Sequence, residues 1–309
     1  MKNHKFIAIN IILLILIIYN NAFAVDKLIV SIIYGRVYAT KESELNNKKV
    51  KLSPGDELYK QDTIHLFDNN SYIVLNYPPG GSPLELKVKG DYYVKDIIDH
   101  YKSESLDFIK TYWEMVMQKM RQSFSGFPGG PERGIEIISP EDKDYQIQVE
   151  SPLTTKIIEP KLNLCWHKNE KVYIYRVIVL KIDEEVLSEF ITSDTFAVID
   201  LSSKALTPNT CYYWKVVSEE NPNIISQKNC FLLLPPNNIS IIKEEIEKIN
   251  HTFNIDNSPL RNILLAQYFE SNGLLMDAYQ NYKMALSIAH YIKEYNNLFF
   301  QFCVRSGIR

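Results

Sequence analysis

The sequence predicts a multidomain α+β protein, with two β-rich regions, a helical segment between them and a helical end. Three observations carry this. Residues 28–77 hold short runs of β-branched and aromatic residues broken by turn residues. Residues 161–218 hold longer strands with alternating apolar positions. Residues 96–124 and 237–305 switch to apolar spacings of three and four, the period of a helix with one buried face.

The 309-residue length allows two or three domains. A hydrophobic content of 46% with 23% charged residues excludes wholesale disorder. The formal charge is −3 and no basic stretch exceeds three residues, so a nucleic-acid surface is not expected.

Residues 1–24 read as a secretory signal peptide. Lys2 and Lys5 precede the 13-residue apolar run at 6–18, and Ala22 and Ala24 suit a cleavage site after Ala24. The run is shorter than the ~20 residues of a membrane span. Loss of Lys2 and Lys5 leaves 32 basic against 37 acidic residues. No later apolar run reaches membrane length. A periplasmic or extracellular protein with no membrane span after cleavage is expected.

Residues 25–95 read as an all-β module. The strand 28–40 bends at Gly35. Pro54, Gly55 and Asp56 make a tight turn, because proline presets φ and glycine supplies a positive φ. Asp68, Asn69 and Asn70 make another. The set Gly35 and Val37, Pro54 to Asp56, Asp62 to Ile64, and the hairpin 66–77 resembles the FecR-like domain of bacterial extracytoplasmic proteins. Iron-signalling members of that family carry a cytoplasmic portion before a membrane span. Only five residues precede the apolar run here, so the resemblance implies the module and not that signalling role.

Residues 96–134 read as a helical connector. Leu106, Ile109, Trp113, Val116 and Met120 share one face, and four glycines and two prolines in 125–134 end it. Asp96, Asp99 and His100 are read as a solvated helix start rather than metal ligands.

Residues 135–236 read as a β-sandwich. Leu162, Leu164 and Trp166 fall on one strand face, 171–182 forms a long central strand, and Tyr212, Trp214 and Val216 fall together on another. Trp166 and the run Leu206, Pro208, Thr210, Tyr212 resemble the fibronectin type III family, which implies a scaffold or recognition module. With Tyr212 and Trp214 inward, Cys211 points outward, and a register that sets Cys211 opposite Cys230 predicts a disulfide. Cys165 and Cys303 are expected to remain free or packed thiols. The four cysteines are too widely spaced for a zinc site.

Residues 237–309 read as a helical bundle. Ile241, Ile242, Ile246 and Ile249 mark its first apolar face, and Asn257 or Ser258 caps a helix that begins at Pro259. Leu265, Ala266, Phe269, Gly273, Ala278, Tyr282, Ala285 and Leu286 then resemble one tetratricopeptide repeat: small residues for close helix approach, glycine for the turn, aromatics for the gap. Such a hairpin serves either as a docking groove or as a structural cap. The aromatic run 295–302, if exposed, marks an interaction surface.

No nucleophile elbow, zincin, phosphate-loop or dinucleotide motif occurs, and the histidines are scattered, so no catalytic, metal or cofactor residues are assigned. His65 is expected to be a surface or satisfied strand histidine. The expectation is a non-enzymatic adaptor outside the cytoplasm that binds protein partners. The alternative is a cell-wall or surface-polysaccharide binder, with which 20 tyrosines are compatible.

Overall fold

The structure, a computed structural model, describes residues 26–42, 48–77, 82–101, 107–124, 146–152, 154–253 and 256–308. The signal peptide and its cleavage after Ala24, the side chain of His100, Leu106, the 125–134 break and the start of the sandwich at 135–145 lie outside them. The described chain is mixed α+β, with four sheets and six helices. It divides into two compact units, residues 1–110 and 111–309.

The first unit is two antiparallel sheets. One has the order β4(Glu57–Tyr59)–β1(Lys27–Tyr34)–β6(Tyr72–Asn76)–β7(Leu84–Leu86). The other has the order β3(Lys49–Lys51)–β2(Val37–Thr40)–β5(Thr63–Leu66)–β8(Gly90–Tyr93), and helix α1(Val94–Tyr101) follows it. Alternation drives the layering: Leu28, Val30, Leu58, Ile73 and Leu75 from one sheet meet Val37, Ala39, Leu52, Ile64 and Leu66 from the other. The Pro-Gly-Asp turn closes onto β1. Gly55 has φ +93°, its N–H reaches the Val30 carbonyl at 2.8 Å, and Val30 N–H reaches Asp56 O at 2.9 Å. These bonds fall beside the irregularity in the β1–β6 register between Val30 and Ile32.

The described parts of the helical segment are α1 and α2(Asp107–Phe124). Ile109, Trp113, Val116 and Met120 are all buried, as their spacing predicts.

In the second unit, strands β9(Thr154–Ile157), β11(Tyr175–Leu180), β12(Val186–Thr192), β14(Cys211–Ser218) and β15(Asn229–Leu233) form a sheet of order β12-β11-β14-β15-β9. Strands β10(Lys161–Cys165) and β13(Phe196–Asp200) form a second sheet. One core joins the two layers, with Leu162, Leu164 and Trp166 from one side and Tyr175, Val177, Trp214 and Phe231 from the other. Trp166 meets Tyr175 edge-on at 5.4 Å between centroids, and Tyr212 stacks on Phe231 at 5.6 Å. The long strand expected over 171–182 is only Tyr175–Leu180. Val172 N–H instead bonds Asn169 O in a turn, and Tyr173 stands exposed.

Four helices complete the unit with the C-terminal part of α2: α3(Pro236–Thr252), α4(Pro259–Asn272), α5(Leu275–Ala289) and α6(Lys293–Ser306). Ser258 caps α4 by accepting a hydrogen bond from Arg261 N–H at 3.0 Å, with Pro259 in the first turn. Gly273 ends α4 at φ +76°. On α3, Ile242 and Ile249 are buried, whereas Ile241 faces solvent. One residue turns a helix by ~100°, so adjacent isoleucines cannot share a narrow buried stripe.

Helix α4 is buried around nearly its whole circumference. Residues 259–269 are buried except for Arg261. A helix enclosed in this way is a central packing element. On one side Tyr112 of α2 meets the Tyr268 ring at 5.1 Å. The aromatic run 295–302 is also mostly interior, with Tyr295, Leu298 and Phe302 buried and Phe300 turned outward.

Candidate functional site

Among the described residues no further strand pairs with two edge strands of the sandwich, and their exposed apolar side chains make the leading candidate surface. Among the described residues, strand β12 ends the five-stranded sheet and pairs only with β11, while β13 pairs only with β10. The chain crosses from one edge to the other through residues 193–195. Edge strands are usually blunted by lysine, proline or a cover. The β12 sequence VLSEFIT contains neither residue. Val186, Phe190 and Ile191 on β12, with Phe196 and Val198 on β13, are 45–57% exposed. Phe190 pairs with buried Val177 and so lies on the core side, where the narrower second sheet does not reach it. Ile191 lies on the opposite face, beside Arg176. Each face of this edge therefore carries an exposed apolar side chain, a combination that favours a further strand.

The opposite edge is covered. Strand β9 meets the α4–α5 turn: Lys156 N–H donates to Gly273 O at 2.9 Å, and Met276 N–H donates to Thr155 Oγ1 at 3.2 Å. Tyr279 and Lys283 of α5 both donate to Glu150 Oε2, at 2.9 and 3.2 Å. A Cβ added to Gly273 would lie 3.2 Å from Lys156 Cε, and the backbone there has positive φ. Gly273→Ala is expected to cost about 1–2 kcal/mol, through αL strain and the crowded lysine stem. Urea titration of the variant measures this.

Beside that junction lies a cleft of about 270 Å³, lined by Ile157, Glu159, Lys161, Asn163, Met276 and Asp277. Burial pushes the Asp277 carboxyl up to about 6, and the Glu159 charge adds to the shift. The folded state therefore holds an extra proton between about pH 4 and 6, and this residue's contribution to stability falls as pH rises through that window. Asp277→Asn is expected to stabilise the protein at pH 7 by about 2 kcal/mol, and to remove that part of the pH dependence. Urea midpoints of the two proteins at pH 4, 5, 6 and 7 test the sign.

Cys211 and Cys230 lie at disulfide distance, with sulfurs 2.08 Å apart and Cα atoms 5.9 Å apart. The expected register is corrected. Cys211 sits opposite Leu232, and Cys230 sits opposite Tyr213, so the two cysteines are diagonal neighbours. The diagonal works because both side chains leave the outer face, opposite buried Tyr212 and Phe231. Cys165 and Cys303 are free and partly buried. Burial raises both thiols, Cys303 to about 11, which keeps them protonated at neutral pH.

The eight repeat-like positions gather at the α4–α5 hairpin. Leu265, Ala266, Phe269, Ala278, Tyr282 and Ala285 are buried, Leu286 is half-buried, and Gly273 makes the turn. Among the sandwich positions, Trp166, Tyr212 and Trp214 are buried, and Leu206 packs on the core from its edge. Thr207 N–H donates to the Tyr212 hydroxyl at 2.9 Å.

Two polar clusters escaped sequence reasoning. Glu270 of α4 accepts hydrogen bonds from Arg305 at 2.8 and 3.0 Å and pairs with Lys119 at 2.9 Å; the Tyr282 hydroxyl lies 3.1 Å away. Burial opposes the Glu270 charge, but Lys119 and Arg305 outweigh it and hold the carboxyl below its usual range. Burial also draws Lys119 below its usual value. The second cluster crosses three strands of the first unit. Thr40 Oγ1 lies 2.7 Å from His65 Nε2, and His65 Nδ1 lies 2.6 Å from Asp91 Oδ1.

That order resembles a hydroxyl–imidazole–carboxylate relay, but its setting is a flat sheet. Thr40 pairs with Lys49 on one side and Thr63 on the other, which commits the backbone around it to the ladders rather than to an oxyanion. The arrangement satisfies a buried histidine. Among the described residues no group of three or more His, Cys, Asp or Glu side chains could hold a metal ion. No helix among them is long and apolar enough to cross a membrane. No protein-family model and no curated protein sequence matches the chain significantly.

Proposed function

We propose that this protein is a non-enzymatic adaptor that acts outside the cytoplasm and binds protein partners in an envelope or secretion assembly. The observation that carries this reading is the pair of edge strands β12 and β13, which carry exposed apolar side chains and no further strand among the described residues. Monomeric proteins rarely leave such edges unguarded, and strand addition is a common mode of protein recognition. The disulfide-distance pair is compatible with an oxidising compartment. The FecR-like and fibronectin-like motifs supply module types that favour scaffolding, and the Thr207–Tyr212 bond supports the second resemblance. Enclosure of α4 favours a structural role for the repeat-like hairpin and moves the docking surface to the sandwich.

Photocrosslinkers placed at Ile191 and Val198 in the native host test the proposal. Capture of the same protein from both positions, but not from exposed Ile241, is the expected result. No captured protein at either edge, with turnover of a substrate by the purified chain, overturns it.

One observation favours the polysaccharide reading. Tyr173 is 76% exposed. Two residues before it in the chain, Lys171 lines a polar groove of about 220 Å³ together with Gln146, Gln148, His167, Lys168, Asn169 and Glu170. An exposed aromatic ring and a polar groove on the same segment suit a sugar ring. Retention on peptidoglycan that is lost in Tyr173→Ala would favour it over the adaptor.

A further inference from the structure

We infer that the cleft between β10 and α5 is a binding site for a primary alkylammonium group, held by the Asp277 carboxylate. This site lies apart from the sandwich edges and does not rest on the adaptor reading. The cleft of about 270 Å³ is set within the second unit, where the end of β9 and the start of β10 meet the first turn of α5. That volume falls at the small end of ligand sites, so it suits a small group rather than a large molecule. Its charges do not balance. Glu159 is paired with Lys243 at 3.1 Å, and Lys161 stands opposite Asp200 in the β10–β13 ladder. Among the described residues no lysine, arginine or histidine lies within ion-pair distance of Asp277, and the charge felt there is that of Glu159, of the same sign. The first turn of a helix favours an acid at this position, but it does not account for the cleft beside it.

The lining selects the kind of cation. With its carboxyl at about 6, Asp277 is mostly ionised at pH 7, and a half-buried carboxylate without a counter-charge is costly. A metal ion wants more ligands, and no group of three or more His, Cys, Asp or Glu side chains among the described residues could hold one. Ile157, Ile158 and Met276 border the same cleft and suit an alkyl stem. An ammonium head carries three donors: one for the Asp277 carboxylate, and two for the side-chain carbonyls of Asn163 and Gln280 in the lining. A guanidinium fork is best met by two free carboxylate oxygens, whereas the Asp277 carboxylate already accepts its own backbone N–H. An alkylammonium supplies the missing charge, the donors and the apolar stem at once.

The test uses the full chain labelled with carbon-13 in its methionine methyl groups. Met276 lines the cleft, while Met284 is exposed further along α5 and serves as the control. Titration with butylammonium chloride should shift the Met276 resonance saturably, in the millimolar range of so small a ligand, and leave Met284 unmoved. Met276→Leu assigns the resonance. Butanol, which lacks the charge, should bind about tenfold more weakly, and Asp277→Asn should weaken butylammonium by a similar factor. Wild-type affinity should fall about tenfold between pH 7 and pH 5, because the carboxylate takes up its proton at about 6. Circular dichroism checks that each variant is folded. No saturable shift overturns the inference, as does equal binding of butanol and butylammonium, or equal binding of butylammonium to wild type and Asp277→Asn. Two further ligands distinguish the sources of such a group. Tighter binding of acetyl-lysine methylamide assigns the site to a lysine of a protein partner, and tighter binding of butanediamine assigns it to a free polyamine.

Discussion

Replacing Glu270 by alanine is expected to destabilise the second unit by about 3–5 kcal/mol, because it leaves a buried positive charge without its partner. The Glu270 side chain is 13% exposed and that of Lys119 is 22% exposed. The carboxylate ties together four helices: α4 through its own backbone, α2 through Lys119, α5 through Tyr282 and α6 through Arg305. Arg305 is 42% exposed and can turn to water, so most of the loss is assigned to Lys119. Two further variants isolate that cause. Glu270→Gln keeps the volume and should lose less. Combining it with Lys119→Met should recover much of the loss, since an apolar pair of similar size replaces a stranded charge. Urea unfolding followed by circular dichroism provides the measurement. The pH dependence has a fixed sign. The folded carboxyl titrates below its unfolded range, so its contribution is complete above that range and is lost as pH falls through the folded value.

Breaking the Cys211–Cys230 link is expected to cost about 3 kcal/mol, the loop-closure value for a short loop. The two residues are 19 apart in sequence. For a unit of this size that corresponds to a fall in Tm of about 6–12 °C. Non-reducing peptide mapping should recover the two cysteines in one linked fragment, and a phosphine reductant should lower the Tm of the wild type. Cys211→Ala should start at the lower Tm and not respond to the reductant. Recovery of both cysteines alkylated, with no change of Tm on reduction, would remove the link.

What was legible in the sequence is what short-range physics decides. Alternation placed Leu162, Leu164 and Trp166 on one strand face, and the helical period placed Ile109, Trp113, Val116 and Met120 on one helix face. Pro-Gly-Asp at 54–56, Ser258 before Pro259, and Gly273 each marked a turn or cap, because backbone conformation and capping are set by the residue itself. The outward direction of Cys211 followed from inward Tyr212 and Trp214. Its partner was legible, but the register was not: opposite and diagonal placements differ only in how the 218–228 connection closes.

The candidate surface was not legible. The sequence VLSEFIT reads as an ordinary strand, and only the sheet order makes it an edge. The Glu270 cluster joins residues as far apart as Lys119 and Arg305, and Glu150 meets Tyr279 across 129 positions. No local pattern encodes such meetings. The sequence by itself determined the kinds of elements, most of their buried faces and the turns between them, since these depend on periodicity and on residues a few positions apart. Only the tertiary structure decided that α4 is enclosed, that one sandwich edge is covered by the α4–α5 turn, and that the other meets no further strand among the described residues. Burial and edge exposure are properties of what packs against an element, and its own residues do not contain that information.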